Sequence, residues 1–197
     1  MKSGNGLMAF ERLWGAACDA GCETVRIAPD AFLLREGAVD TSLHLVRSGC
    51  LQAMLRRAGK EYALEAFMEG DAIASLDSFA RGVPSTYAIQ AVEESEILDI
   101  PGEVLERLLR EQPVLARDVA EHHRRWIVQL TERIMELVST SPQERYLRLS
   151  ARRPELIERL PQYKIASMLG VTPETLSRIR NRLAKTARTA AGSPSVS

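Results

Sequence analysis

"PQYKIASMLGVTPETLSRIRNRL", Pro161 to Leu183, carries two short apolar stripes on either side of a single glycine. In the first stripe Ile165, Met168 and Leu169 share one helical face, with small Ala166 beside them. Gly170 suits the position just past a helix end, where a left-handed backbone costs glycine little. Thr172 predicts the N-cap of a second helix, Pro173 its first residue, and Glu174 complements its positive end. Leu176, Ile179 and Leu183 give that helix its own inward stripe. Two helices, a glycine turn and a small residue where the axes cross predict a helix-turn-helix.

The outward face of the second helix would be Glu174, Thr175, Ser177, Arg178, Asn181 and Arg182, with Arg180 toward a flank. These side chains suit nucleic acid. Arginine can meet guanine O6 and N7 with two bonds, and glutamate can accept from cytosine N4. Hydroxyls such as those of Thr172, Thr175 and Ser177, further arginines and helix-start amides suit phosphates. The charge distribution points the same way. The formal net charge is zero, yet residues 141–188 hold eleven Lys and Arg against four Glu, while the remainder holds 15 basic and 22 acidic residues. A basic C-terminal third on an acidic body suggests a polyanion-binding module joined to something else.

Upstream, residues 24–100 read as short strands. "TVRI", "SLHLV", "LQAML", "YALEAF" and "YAIQAV" are separated by turn signals such as "RSG", "RAGK" and "MEGDA". Strands at this spacing predict a β-sandwich or barrel. The composition changes at Pro101. Pro113 predicts the start of a helix whose apolar residues Leu115, Val119, Trp126, Ile127, Leu130, Ile134, Leu137 and Val138 recur at helical spacing. Val119, Ile127, Leu130, Ile134 and Leu137 would form the seam of a parallel helix pair. "SPQERYLRLSARR" predicts a further helix capped by Ser141 and opened by Pro142, and "ELIERL" a short one.

The combination of a glycine-punctuated β domain, a long helix and "IASMLGVTPETLSRIRNRL" resembles the Crp/Fnr family of bacterial transcription regulators over residues 24–183. "SLHLVRSGCLQAML" is similar to the strand–glycine–strand segment of that family's cyclic-nucleotide-binding roll. The resemblance implies an α+β protein: a jelly-roll-like, double-stranded β-roll over 1–112, a dimerisation helix over 113–140 and a helix-turn-helix domain over 141–188; residues 189–197, without large apolar side chains, are expected to be a disordered tail. It also implies double-stranded DNA, a second copy of the chain and RNA polymerase as partners, and a cytoplasmic location. Glu174, Ser177 and Arg178 fall where Fnr-like members place their base-contacting residues.

One departure limits what carries over. Members that cradle a cyclic phosphate have a Gly-Glu pair soon after "GD" and an Arg-Ser or Arg-Thr pair further on; here the positions hold Ala74-Ser75 and Ser85-Thr86. A buried phosphate without a cation is costly. Ser75, Ser85 and Thr86 are therefore expected to form a degenerate ligand pocket, with an effector left unidentified and cyclic AMP not expected. The family's β-hairpin wing is also expected to be missing.

Other chemistries find little support in the sequence. Cys18, Cys22 and Cys50 are three thiols, one short of an iron–sulfur ligand set. His122 and His123 are adjacent on a helix and point roughly 100° apart, so they do not make a joint metal site. No metal-ligand cluster, G-x-S-x-G or phosphate-binding loop argues for an enzyme. The competing expectation is a ligand-binding roll whose helical tail meets other proteins instead of DNA.

Overall fold

The computed structural model describes residues 4–191. They divide into two compact units, Met1–Ile134 and Met135–Ser197, with the boundary inside the long helix and not at either of its ends.

The first unit is a roll of two four-stranded antiparallel sheets. One has the order β1 (Thr24–Ile27), β8 (Ser95–Pro101), β3 (Ser42–Ser48), β6 (Ala72–Ile73); the other has β2 (Phe32–Leu34), β7 (Ala88–Ala91), β4 (Cys50–Arg57), β5 (Lys60–Met68). Between them lie Ile27, Val46, Ile73 and Ile97 from the first sheet and Leu34, Leu51, Ala53, Ile89 and Ala91 from the second. All five sequence-predicted strands are present. The additional ones, β2, β6 and β8, include segments of only three and two residues, too short to show periodicity.

The outer face of the first sheet is also covered. Leu45, Leu98 and Ile100 pack against Phe10, Leu13 and Ala17 of α1 (Gly4–Asp19), Leu105 and Leu108 of α3 (Gly102–Glu111) and Leu115 of α4 (Pro113–Ser139). Helix α1 was not anticipated, although Phe10, Leu13 and Ala17 have helical spacing. A one-and-a-half-turn helix, α2 (Leu76–Arg81), follows β6.

Along α4 the seam residues do not share one environment. Val119 is half-buried against the core of its own roll, so it is less available to a partner than its spacing implies. Ile127 at 57%, Leu130 at 40%, Ile134 and Leu137 are exposed.

The second unit is helical: α5 (Pro142–Arg152), α6 (Pro154–Arg159), α7 (Gln162–Met168) and α8 (Pro173–Ala191). Ser141 and Glu144 form a reciprocal capping box at the start of α5. Bonds from the Ser141 backbone and hydroxyl hold the Glu144 carboxyl below its usual range, so this cap is complete above the ordinary glutamate pKa and is lost as pH falls through the lowered one. Among the described residues no strand follows Pro101, as the expected lack of a hairpin wing requires. Helix α8 extends through residues 189–191, the start of the expected disordered tail; residues 192–197 of that tail lie outside the described residues.

The β3–β4 corner fixes the register of the roll. Gly49 has φ +97°, and a Cβ there would run into the Ser95 hydroxyl and, at 2.6 Å, the Glu94 carbonyl. Gly49→Ala is expected to destabilise the first unit by more than about 1 kcal/mol, read as a lower urea midpoint at unchanged slope.

Candidate nucleic-acid interface and the degenerate ligand site

The helix-turn-helix rests on a small core of Leu156, Leu160, Ile165, Ala166, Met168, Leu169, Leu176 and Ile179, all buried. Gly170 has φ +69° as its place after α7 requires. Thr172 caps α8: its Oγ1 accepts from the Thr175 N–H at 3.3 Å and lies 3.2 Å from the Thr175 hydroxyl. A hydrogen bond with the Thr172 side chain also holds the Glu174 carboxyl below its usual range. Glu174, Ser177, Arg178, Asn181 and Arg182 are exposed, at helical spacings of three and four. Thr175 and Arg180 are half-buried. Five of the expected outward residues thus share one face, while Thr175 belongs to the cap and Arg180 lies to the side.

The basic count of this segment overstates the charge offered at its surface. Lys164 is only 2% exposed. Arg148 and Arg152 reach Glu136 at 3.3 and 3.0 Å. Arg145 turns inward: its Nε and Nη2 donate to the Leu169 carbonyl at 3.1 and 3.0 Å, and its Nη1 to the Thr140 carbonyl at 2.5 Å. The Leu169 carbonyl belongs to the turn between α7 and α8, so a cation from α5 complements the negative end of α7. Sequence reasoning had counted Arg145 as surface charge; its sole signal was a place near the N-terminus of the preceding helix.

In the roll, Ser75 and Ser85 come together. Their hydroxyls are 2.8 Å apart and both residues are buried. Ser85 Oγ donates onward to the Tyr87 carbonyl at 2.7 Å, and the Tyr87 hydroxyl donates to the Ala74 carbonyl at 3.2 Å. Burial pushes the Tyr87 phenol above its usual range, which keeps it a donor. Ser75 precedes α2 yet its side chain makes no cap bond there. Thr86 is exposed, and its carbonyl accepts from Arg57 at 3.5 Å. Ser75 and Ser85 therefore satisfy one another, and Thr86 stands apart from them.

Among the described residues, no group of three or more His, Cys, Asp and Glu is gathered where it could hold a metal ion. Cys18 is exposed, Cys22 half-buried and Cys50 buried. No described helix is long and apolar enough to cross a membrane.

A two-sheet roll, a long helix and a helix-turn-helix define an architecture, and comparison with known proteins shows where it recurs. Residues 24–112 match the cyclic nucleotide-binding domain family. No curated protein matches the sequence at a significant level. Among solved structures, the c-di-GMP-responsive global regulator CLP of Xanthomonas campestris aligns at 17% identity with a TM-score of 0.70, over 91% of this chain and 92% of its own. A CooA mutant from Carboxydothermus hydrogenoformans aligns at 22% identity with a TM-score of 0.68, over 85% and 78%. A transcriptional regulator of the CRP/FNR family from Thermus thermophilus aligns at 18% identity with a TM-score of 0.65, over 83% and 87%. Residues 24–112 thus match a cyclic nucleotide-binding domain, and the chain shares its fold with these solved structures.

Removing the Arg145 side chain is expected to loosen the α7–α8 turn by about 1.5–3 kcal/mol, the usual range for hydrogen bonds to a charged group. In Arg145→Ala, amide exchange across residues 162–183 should accelerate while that of the roll stays unchanged.

Proposed function

We propose that the chain is a sequence-specific DNA-binding transcriptional regulator that acts as a dimer on an inverted repeat. One observation carries this reading: the first three turns of α8, in a helix-turn-helix, expose Glu174, Ser177, Arg178, Asn181 and Arg182 on one face. The N-terminal part of such a helix enters the major groove. Arg178 lies one turn beyond Glu174, where its fork would meet a guanine; Arg182, a turn further on, would reach the phosphate backbone. The exposed apolar residues Ile127, Leu130, Ile134 and Leu137 supply a seam for a second copy. A two-fold pair would set half-site centres about 34–36 Å apart, or a multiple of that. RNA polymerase is the further partner this reading includes.

Cyclic AMP is not the effector in this proposal. Ser75 and Ser85 bond to each other where a phosphate would need a cation and open donors. Calorimetry should detect no binding of cyclic AMP at micromolar concentration. A salt-dependent gel shift on genomic DNA separates DNA binding from a tail that meets only proteins.

Binding-site selection tests the recognition helix. Arg178→Ala is expected to cost about 1–3 kcal/mol per half-site and to relax preference at one base position. Arg182→Ala is expected to weaken binding to all sequences alike and to flatten the salt slope by about one unit. An unchanged palindrome, with unchanged information at every position in Arg178→Ala, would refute base reading by this helix.

Sedimentation tests the seam. Leu130→Glu would bury an unpaired charge in the pair, at a cost on the order of several kcal/mol, and should leave monomers at micromolar concentration.

A further inference from the structure

The roll contains a second polar cluster, at one end of its interior. His44 of β3 lies directly across from Asp99 of β8 and is only 4% exposed. Its Nε2 is 2.8 Å from Oδ2 of Asp40, and its Nδ1 is 3.4 Å from Oδ1 of Asp99. Nδ1 of His44 and Oδ1 of Asp99 are both buried, and neither has a hydrogen-bond partner. They border a cleft of about 470 Å³ whose walls include Phe32, Leu34, Val39 and Ile97.

The proton arrangement follows from which groups donate. Burial alone would raise the Asp40 carboxyl, but bonds from the His44 ring and the Ser42 N–H hold it below its usual range. An ionised carboxylate only accepts, so Nε2 of His44 carries a hydrogen. In a neutral ring Nδ1 then presents a lone pair to a carboxylate oxygen 3.4 Å away. A single proton in that gap, on either atom, turns this repulsion into an attraction.

The cluster is wired to the closed ligand site. The Asp40 N–H donates to Ser78 Oγ of α2 at 2.7 Å, and Asp40 Oδ1 accepts from the Ser42 N–H at 3.0 Å. The same loop is paired with Ser85, through Gly37 N–H to the Ser85 carbonyl and Ser85 N–H to the Ala38 carbonyl, each 2.8 Å. Other charged and titratable groups sit nearby. Arg35 lines the cleft with its guanidinium 4.3 Å from the Phe32 ring centre. Cys22, ahead of β1, has its thiol raised by burial and then by the charge of Asp99 and by Cys18, against the pull of Arg107 from α3.

We propose that the His44–Asp99 gap is a titratable proton site that works the roll as a clasp. Occupied, it ties β8 to β3 and steadies the loop that bears Asp40. Vacated, it lets Asp99 turn into the cleft and frees that loop, with α2 and Ser85, to move. The clasp closes when the gap takes up its proton and opens when it loses it. As pH falls through the lowered Asp40 value, the Nε2 bond is lost and the clasp fails from the other side. The clasp is a property of the roll and does not depend on DNA binding.

The test uses the full chain, scanned between about pH 5 and 8. Long-range nitrogen NMR of the ring should show His44 passing from two ring protons to one on Nε2. Over the same step, amide exchange at Asp40 and Ser85, corrected for intrinsic rate, should accelerate by about tenfold or more. His44→Gln should abolish the step. Should that variant fail to fold, Asp99→Asn carries the test, since the Asp99 side chain is 40% exposed and tolerates an isostere; it too should abolish the step. The proposal is overturned if His44 keeps one protonation state throughout, or if the exchange step persists in Asp99→Asn. It is equally overturned if the step vanishes with EDTA, which would put a metal ion in the gap.

Discussion

The central strands of the sheet β1-β8-β3-β6 pack on both faces, and most of the first unit follows from that. Its central strands β3 and β8 send Val46 and Ile97 toward the other sheet and Leu45, Leu98 and Ile100 toward the helices. On a strand packed on both faces an unpaired polar side chain is costly. The inward polar residues of β3 and β8 lie against groups across the ladder or at a corner, and His44 Nδ1 and Asp99 Oδ1 stay unpaired there. His44 reaches Asp40 and Asp99, and the buried Ser95 hydroxyl donates to the Glu93 carbonyl at 2.9 Å. The same double burial forbids a Cβ at position 49, where the chain turns against Ser95.

What could be read from the sequence was what local chemistry specifies. The Thr172 cap, Pro173, Gly170 and the apolar stripes of α7 and α8 act within a few residues of one another, so the helix-turn-helix and most of its outward face were visible in "IASMLGVTPETLSRIRNRL". Strands β3, β4, β5 and β7 were visible because turn residues bracket them. Helix α1 was legible in principle: Phe10, Leu13 and Ala17 are spaced as a helix face, but a stretch near a chain start invites comparison with a leader sequence before a packing role. Strand β8, packed on both sides, reads "EILDI", whose mixed apolar and acidic residues lack the strict alternation that marks a half-buried strand. Strand β6 has two residues and exists because β3 is beside it.

Charge is the property for which counting residues misled most. Eleven basic residues in the C-terminal third suggested a broadly positive surface. Lys164 is buried in the helix-turn-helix, Arg145 holds backbone carbonyls, and Arg148 and Arg152 share Glu136. The placements of Arg145, Arg148 and Arg152 do not follow from spacing, because each pairs residues on different elements. The net charge of the segment is unaffected, and so is any long-range attraction to a polyanion. Its local pattern is narrower, concentrated on the α8 face where Arg178 and Arg182 stand exposed.

The degenerate ligand site shows the same division between residue identity and placement. That serines occupy positions 75 and 85 is plain in the sequence; that their hydroxyls meet is not. A 2.8 Å contact between residues ten apart depends on β6, α2 and the approach to β7 together. The contact has a physical reason. Two hydroxyls left facing a buried empty space would each forgo a hydrogen bond, a cost of about 1–3 kcal/mol apiece. Meeting each other, with Tyr87 bridging to the Ala74 carbonyl, removes that cost without any ligand. A site closed in this way has its hydroxyls satisfied without an anion.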